Sequence, residues 1–233
     1  MSGKTDHGRL CEITGYSFTD GQILKTALTH SSYASEHRLG YEMNNERLEF
    51  IGDAFVDAVV GYELFDIMKD AREGVLSRCR ADVVCEDSLA GVASEMGLGD
   101  YLYLGRGEEA SGGRQKPSIL ADAFEALMGA IIIDGGYEAC REVILRLLGD
   151  RIALASEGKL NKDYKTRLQE ILQEKDKNVS IKYEITGQTG PDHSKVFTVQ
   201  VTANGSALGT GSGRSKARAE QAAAEDALTK GDR

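Results

Sequence analysis

Apolar residues along the front two-thirds of the chain recur every three to four positions, and in the last third that period changes. Ile23, Leu24, Ala27 and Leu28 share one helical face, with Asp20 or Thr19 placed to cap it. A longer helix is predicted from Asn44 to Met68, with Leu48, Ile51, Phe55, Val59 and Leu64 among its apolar positions. Further helical patterns cover Glu73 to Met96, Ile119 to Ile133 and Tyr137 to Ala155. Among them lies a glycine-rich segment, Gly105 to Gly113, punctuated by Gly112-Gly113. Strand-like alternation is almost absent, which predicts an all-α domain over residues 1–156.

The stretch from Ala155 to Lys162 is small and polar, and residues 157–161 are expected to link two domains. Beyond it, Tyr164, Leu168, Ile171 and Leu172 fit a short amphipathic helix. Ser180 to Thr186 and Val196 to Thr202 alternate as half-buried strands do, and a third short strand is expected around Leu208. Ser215 to Leu228 is alanine-rich and closes the chain as a helix. The order α-β-β-β-α over residues 162–233 predicts a small α+β domain.

Composition narrows the class. The chain has 233 residues, 41% hydrophobic and 28% charged, as in an ordinary soluble protein. Its first 14 residues have no apolar core, and its longest apolar run, Ala130 to Ile133, is far below the ~20 residues of a membrane span. A cytoplasmic protein without a membrane partner is expected. Cys11, Cys79, Cys85 and Cys140 lack metal-ligand spacing and are read as reduced thiols. The net charge of −9 argues against a nucleic-acid partner until it is divided along the chain. Residues 160–233 hold 12 basic and 10 acidic side chains, a net of +2, which leaves −11 for the remainder. Two units with different roles follow.

The front half offers two carboxylate pairs. In Asn45-Glu46-Arg47-Leu48-Glu49-Phe50-Ile51-Gly52-Asp53, a helix puts Glu49 and Asp53 on one face, with Glu46 one turn before Glu49. Asp122 and Glu125, three apart, sit in the apolar run Ile119 to Leu127. Acids drawn toward an apolar interior without an evident lysine partner suit a hard divalent cation such as magnesium. Spacing alone leaves a second reading standing, in which these acids are solvated or bonded to Arg47, Arg78 or Arg80.

Asn45 to Asp53 resembles the signature helix of ribonuclease III, with Ile51 at a position usually leucine. Glu73-Gly74-Val75-Leu76-Ser77 resembles the second acidic motif of that family, and Ser118 to Leu127 its third, with Pro117 fitting a helix start. Three motifs in order span the front domain. The resemblance implies an all-α endonuclease domain in which Glu49, Asp53, Asp122 and Glu125 bind metal, Asp53 and Glu125 being the most critical to catalysis. Glu46 and Glu73 match secondary acidic positions at the edge of the catalytic valley.

The tail resembles a double-stranded RNA-binding domain through Thr166 to Glu170, Gly190 to His193 and Gly211 to Ala223. Such domains read A-form shape, 2′-hydroxyls and phosphates over ~16 base pairs. On this resemblance Gln169, Glu170 and His193 reach minor grooves, while Lys216 and Arg218, with Arg214 close by, hold phosphates. Gly209 to Lys216 superficially suggests a phosphate-binding P-loop, but the G-x-x-x-x-G-K-[ST] spacing is not met, so no nucleotide cofactor is expected.

Taken together, the resemblance implies a homodimer that hydrolyses double-stranded RNA with two Mg2+ ions per centre, Mn2+ being able to substitute. Products would carry 5′ phosphates and 3′ hydroxyls with short 3′ overhangs, and substrates would include ribosomal RNA precursors and structured messenger RNA. A duplex-RNA-binding regulator without cleavage is the competing reading, and a purely structural helical dimer a third.

Overall fold

A computed structural model describes residues 8–160, 164–189 and 195–231. Contacts divide the chain into two compact units, between Leu160 and Asn161.

The front unit is helical, as its 3.6-residue period predicts. Its helices are α1 (Gly8–Thr14), α2 (Gly21–Ala27), α3 (Ser31–Glu36), α4 (Glu46–Ile67), α5 (Glu73–Val84), α6 (Glu86–Glu95), α7 (Arg106–Ala110) and α8 (Pro117–Ser156). Asp20 is the α2 cap, its side chain accepting the Gln22 N–H. Three short helices, α1, α3 and α7, lie where the apolar period is too brief to register. α7 falls inside the glycine-rich segment, and just past that segment Arg114 donates to the carbonyls of Gly99 at 2.7 Å and Leu102 at 2.9 Å. The pattern from Glu73 to Met96 resolves into two helices, because Cys85 is extended and turns the chain between α5 and α6. A single parallel bridge, Thr29 to Tyr103, is the only β pairing among the described residues of this unit.

α8 carries the break expected between Ile133 and Tyr137. Gly136 has φ +81, a left-handed conformation that a side chain would strain, so the helix kinks there. Just before the kink, the Asp134 carboxylate accepts from the Thr19 N–H and hydroxyl, the Asp20 N–H and the Tyr16 hydroxyl, at 2.6–2.9 Å. Those four donors hold its carboxyl below the usual carboxylate range, hydrogen bonds from Thr19 and Tyr16 acting first. They also fasten the α1–α2 connection to α8.

α8 and α4 form the main pairing of the unit and cross at two glycines. A Cβ on Gly52 would stand 1.8 Å from the Glu125 carbonyl oxygen, and one on Gly129 would stand 1.9 Å from that of Leu48. The two backbones therefore touch where neither residue has a side chain. Phe124, Leu127, Met128, Ile131, Val56 and Val60 fill the core on either side of this crossing. Cys79 and Cys140 are buried free thiols in that core, hydrogen-bonded to the carbonyls of Ala155 and Met128.

The second unit runs α9 (Tyr164–Lys175), β1 (Ile181–Thr189), β2 (Val196–Ala203), β3 (Ser206–Gly213) and α10 (Lys216–Gly231), the predicted α-β-β-β-α order. Its strands form one antiparallel sheet in the order β1-β2-β3. β2 and β3 join through Asn204-Gly205, with φ +49 and +83, the two positive angles that a tight hairpin requires. β3 is longer than the strand expected around Leu208. Its glycines at 209, 211 and 213 lie so close to α10 that a Cβ on each would meet backbone between Arg218 and Ala227. Opposite them, Ala219, Ala223 and Ala227 form the buried stripe of α10. The glycine-rich run thus lets a helix lie against a sheet.

Candidate active site

The glycine crossing decides where the acids go. Glu49 and Asp53 flank Gly52 on α4, and Asp122 and Glu125 occupy the turns of α8 that precede Gly129. Bringing the two backbones into contact brings one carboxylate oxygen from each of Glu49, Asp122 and Glu125 within 4.8 Å of the others, and all three residues are half-buried. No lysine or arginine pairs with any of them among the described residues. Of the arginines raised as alternatives, Arg80 lies 3.9 Å from Asp57, a carboxylate on the next turn of α4 after Asp53.

This electrostatic arrangement is strained. Burial, then repulsion from Asp53, Glu49, Asp122 and Asp57, pushes Glu125 up to about 8. Burial raises Glu49 too, followed by Asp122, Glu46 and Asp53. Asp122 is raised by burial and by Glu86, while His30 opposes the shift. Partial relief comes from α4 itself: Glu46 and Glu49 occupy its first turn, where the helix dipole favours negative charge.

Sequence-predicted residues outside the trio are placed differently. Asp53 is exposed on the outer side of the cluster, near enough to repel Glu49 and Glu125. Glu46 is exposed and acts on Glu49. Glu73 opens α5 and accepts from the Ser77 hydroxyl at 2.7 Å, and it does not register on the trio. Sequence reasoning missed Asp57, Glu86 and His30. Asp57 had a signal, since it continues the Glu49–Asp53 spacing by one more turn. Glu86 and His30 had none, because they arrive from other elements.

A linkage follows for the metal-free protein. A carboxyl raised in the folded state binds its proton more tightly there than in the unfolded chain. Folding stability therefore falls as pH rises from the ordinary carboxylate range through about 8, and returns on acidification. A divalent cation that displaces the proton removes the slope. Thermal melting in chelator between pH 5.5 and 8.5 should show a lower Tm at the alkaline end, and Glu125→Gln should flatten it. Equal slopes in wild type and variant would count against the assignment.

In the second unit, Gln169 and Glu170 are exposed on α9, and Arg214, Lys216 and Arg218 are exposed around the start of α10. The Ser215 hydroxyl accepts the Arg218 N–H at 3.3 Å and closes that end of the helix. None of the three basic residues forms an ion pair among the described residues. His193 lies outside the described residues.

Comparison with known proteins places this geometry. The family model described as Ribonuclease-III-like matches residues 20–152, and that of the double-stranded RNA binding motif matches residues 164–230. Ribonuclease 3 of Caldanaerobacter subterraneus subsp. tengcongensis is 48% identical over 215 residues, covering 92% of this chain and 93% of that protein. Ribonuclease 3 of Listeria welshimeri is 46% identical over 219 residues, covering 94% and 95%. The crystal structure of the nuclease domain of ribonuclease III from Campylobacter jejuni is 42% identical, with a TM-score of 0.58, over 63% of this chain and 95% of that one. An acidic helix crossing followed by a double-stranded RNA-binding fold, with this likeness along nearly the whole chain, makes the protein a member of the ribonuclease III family, a double-stranded-RNA-specific endoribonuclease.

Proposed function

We propose that Glu49, Asp53, Asp122 and Glu125 hold magnesium, and that the chain uses it to hydrolyse phosphodiesters of double-stranded RNA. The observation that carries this reading is the trio of carboxylate oxygens within 4.8 Å, with no lysine or arginine paired to them among the described residues. Such a donor set is all oxygen, anionic and half-open to water, which is what a hard divalent cation takes. Manganese, which accepts the same donors, would substitute. Once bound, the ion supplies an activated water nucleophile and charge neutralisation at the leaving 3′ oxygen.

The chain's own residues set up the rest. Glu125, costly to ionise unaided, releases its proton when its charge is taken up. Asp53 closes the cluster from the solvent side, and Glu46 and Glu73 act at the rim. Products would carry 5′ phosphates and 3′ hydroxyls. Gln169, Glu170 and His193 would reach minor grooves, while Arg214, Lys216 and Arg218 would hold the phosphates between them. Residues 157–161 would link the two units. Ribosomal RNA precursors and structured messenger RNA in the cytoplasm would be the natural substrates.

A homodimer would supply one centre per strand and hence a short 3′ overhang. Support comes from an apolar face beside the site. Phe50 is 79% exposed and Ile133 62% exposed, at the lining of a cavity of about 790 Å3 that also takes in Ile23, Leu48 and Ile51. Exposed apolar side chains so grouped mark an association surface. A second Campylobacter jejuni ribonuclease III structure, 42% identical, is described as flexible in a region involved in dimer formation.

The direct test is a labelled duplex of several tens of base pairs incubated with magnesium or with chelator. Metal-dependent cutting to short duplexes with 3′ overhangs is expected, from a protein whose solution mass is that of a dimer. Tight binding with no cutting in magnesium would favour the regulator reading instead.

A further inference from the structure

The histidine beside the carboxylates is left without a task by the chemistry above. His30 is the N-cap of α3, and its Nδ1 accepts the Ser32 N–H at 3.2 Å and lies 2.8 Å from Ser32 Oγ. Ser32 Oγ in turn accepts the Gly105 N–H at 3.0 Å. A hydroxyl oxygen engaged in that way still has its own proton to give, and Nδ1 is the acceptor within reach. Both contacts at Nδ1 therefore run toward it. In the neutral ring the proton sits on Nε2.

His30 is also held in place by its backbone. Its N–H donates to the Tyr103 carbonyl at 3.1 Å. The preceding carbonyl, on Thr29, accepts the Asn45 N–H at 2.9 Å, and the Asn45 carbonyl accepts the Glu49 N–H at 2.8 Å. Main-chain hydrogen bonds thus tie residue 29 to the first turn of the helix that carries Glu49. The imidazole is half-buried and close enough to Asp122 and Glu108 to act on both carboxyls. No hydrogen bond occupies Nε2 among the described residues.

We propose that His30 contacts the substrate, its Nε2–H donating to a non-bridging phosphate oxygen of the RNA strand received by the Glu49, Asp122 and Glu125 cluster. This rests on the reading of that cluster as a site of RNA hydrolysis. A phosphodiester brought against three carboxylates needs a hydrogen-bond donor on the protein side. A lysine or arginine there would pair with the acids and compete with the metal. An imidazole offers a single directed N–H instead, and the Nδ1 contacts to Ser32 hold the ring in one orientation.

Two substitutions separate the halves of the ring. In His30→Asn, the amide oxygen replaces Nδ1 as the α3 cap, asparagine being a preferred N-cap residue, and nothing replaces Nε2. In His30→Gln, the longer amide carries an N–H toward the Nε2 position and loses the cap. His30→Asn is expected to melt like wild type and to bind duplex in chelator like wild type. Its kcat/KM for cleavage should fall about ten- to hundred-fold, the usual worth of a hydrogen bond to a charged group, and mostly in kcat. His30→Gln should melt lower and yet recover most of the rate. Cleavage by His30→Asn at the wild-type rate, or losses in both variants that track Tm, would overturn the contact while leaving the hydrolysis reading intact. A wild-type protein that never cuts would overturn the reading beneath it.

Discussion

Glu125→Gln should reduce cleavage of a duplex by about three orders of magnitude or more while leaving duplex affinity nearly unchanged. Glu125 is the carboxyl most repelled by its surroundings, lifted to about 8 by burial and by four neighbouring acids. On the proposed reading a divalent cation would relieve that repulsion, and Glu125 is where it would gain most. An amide in its place offers one neutral oxygen and no charge. Loss of an ion that supplies several kcal/mol of charge stabilisation in the transition state costs a factor of ten for each ~1.4 kcal/mol. On the same reading, affinity for duplex would come from salt-sensitive phosphate contacts of the unit that matches the double-stranded RNA binding motif, where Glu125 does not lie. The variant should also melt no lower than wild type in chelator at pH 8, because it removes a charge that folding opposes. Single-turnover cleavage and equilibrium binding with the same labelled duplex would check this. Near-wild-type cleavage would return Glu125 to the structural acids.

The second large effect concerns stability. Gly52→Ala and Gly129→Ala each put a methyl group within 2 Å of a main-chain carbonyl oxygen on the facing helix. Neither obstacle is the flexible end of a side chain, so relief requires α4 and α8 to move apart along their main contact. Overpacking of this kind costs about 3 kcal/mol or more. In a domain of this size that lowers Tm by roughly 6–12 °C. Separation of the helices also spreads Glu49 from Asp122 and Glu125, so the concentration of magnesium needed for cleavage should rise along with the loss of Tm. Gly74→Ala, where a Cβ meets nothing within 4 Å, is the control and should melt like wild type. If Gly52→Ala matches Gly74→Ala, the crossing does not depend on backbone contact.

Much of this was legible in the order of residues. The 3.6-residue period marked α4, the pair α5 and α6, and both arms of α8, and the switch to alternation marked β1 and β2. Local periodicity survives into the fold because each element buries one face, and the pattern of that face is written consecutively. Short helices such as α3 and α7 escaped because one or two turns carry too few apolar positions to show a period. β2 ends within one residue of its expected end, whereas β1 runs three residues past Thr186. β3 was expected only as a short strand around Leu208, because its glycines carry no hydrophobic pattern.

The sequence by itself supplied the four carboxylates as candidates, their spacing as i to i+4 and i to i+3, the two-unit division, and the family that the motifs resemble. Each depends on residues close together in the chain. Only the tertiary structure decided which acids meet: Glu49, Asp122 and Glu125 form the tight trio, and Asp53 stands outside it. It also decided that glycines 52 and 129 are the reason they meet, that glycines 209, 211 and 213 serve helix packing, and that His30 lies near enough to act on Asp122. These are distances between backbones that lie far apart in sequence. No local pattern encodes them, since a glycine chosen for close approach reads the same as one chosen for a turn until its neighbour is known.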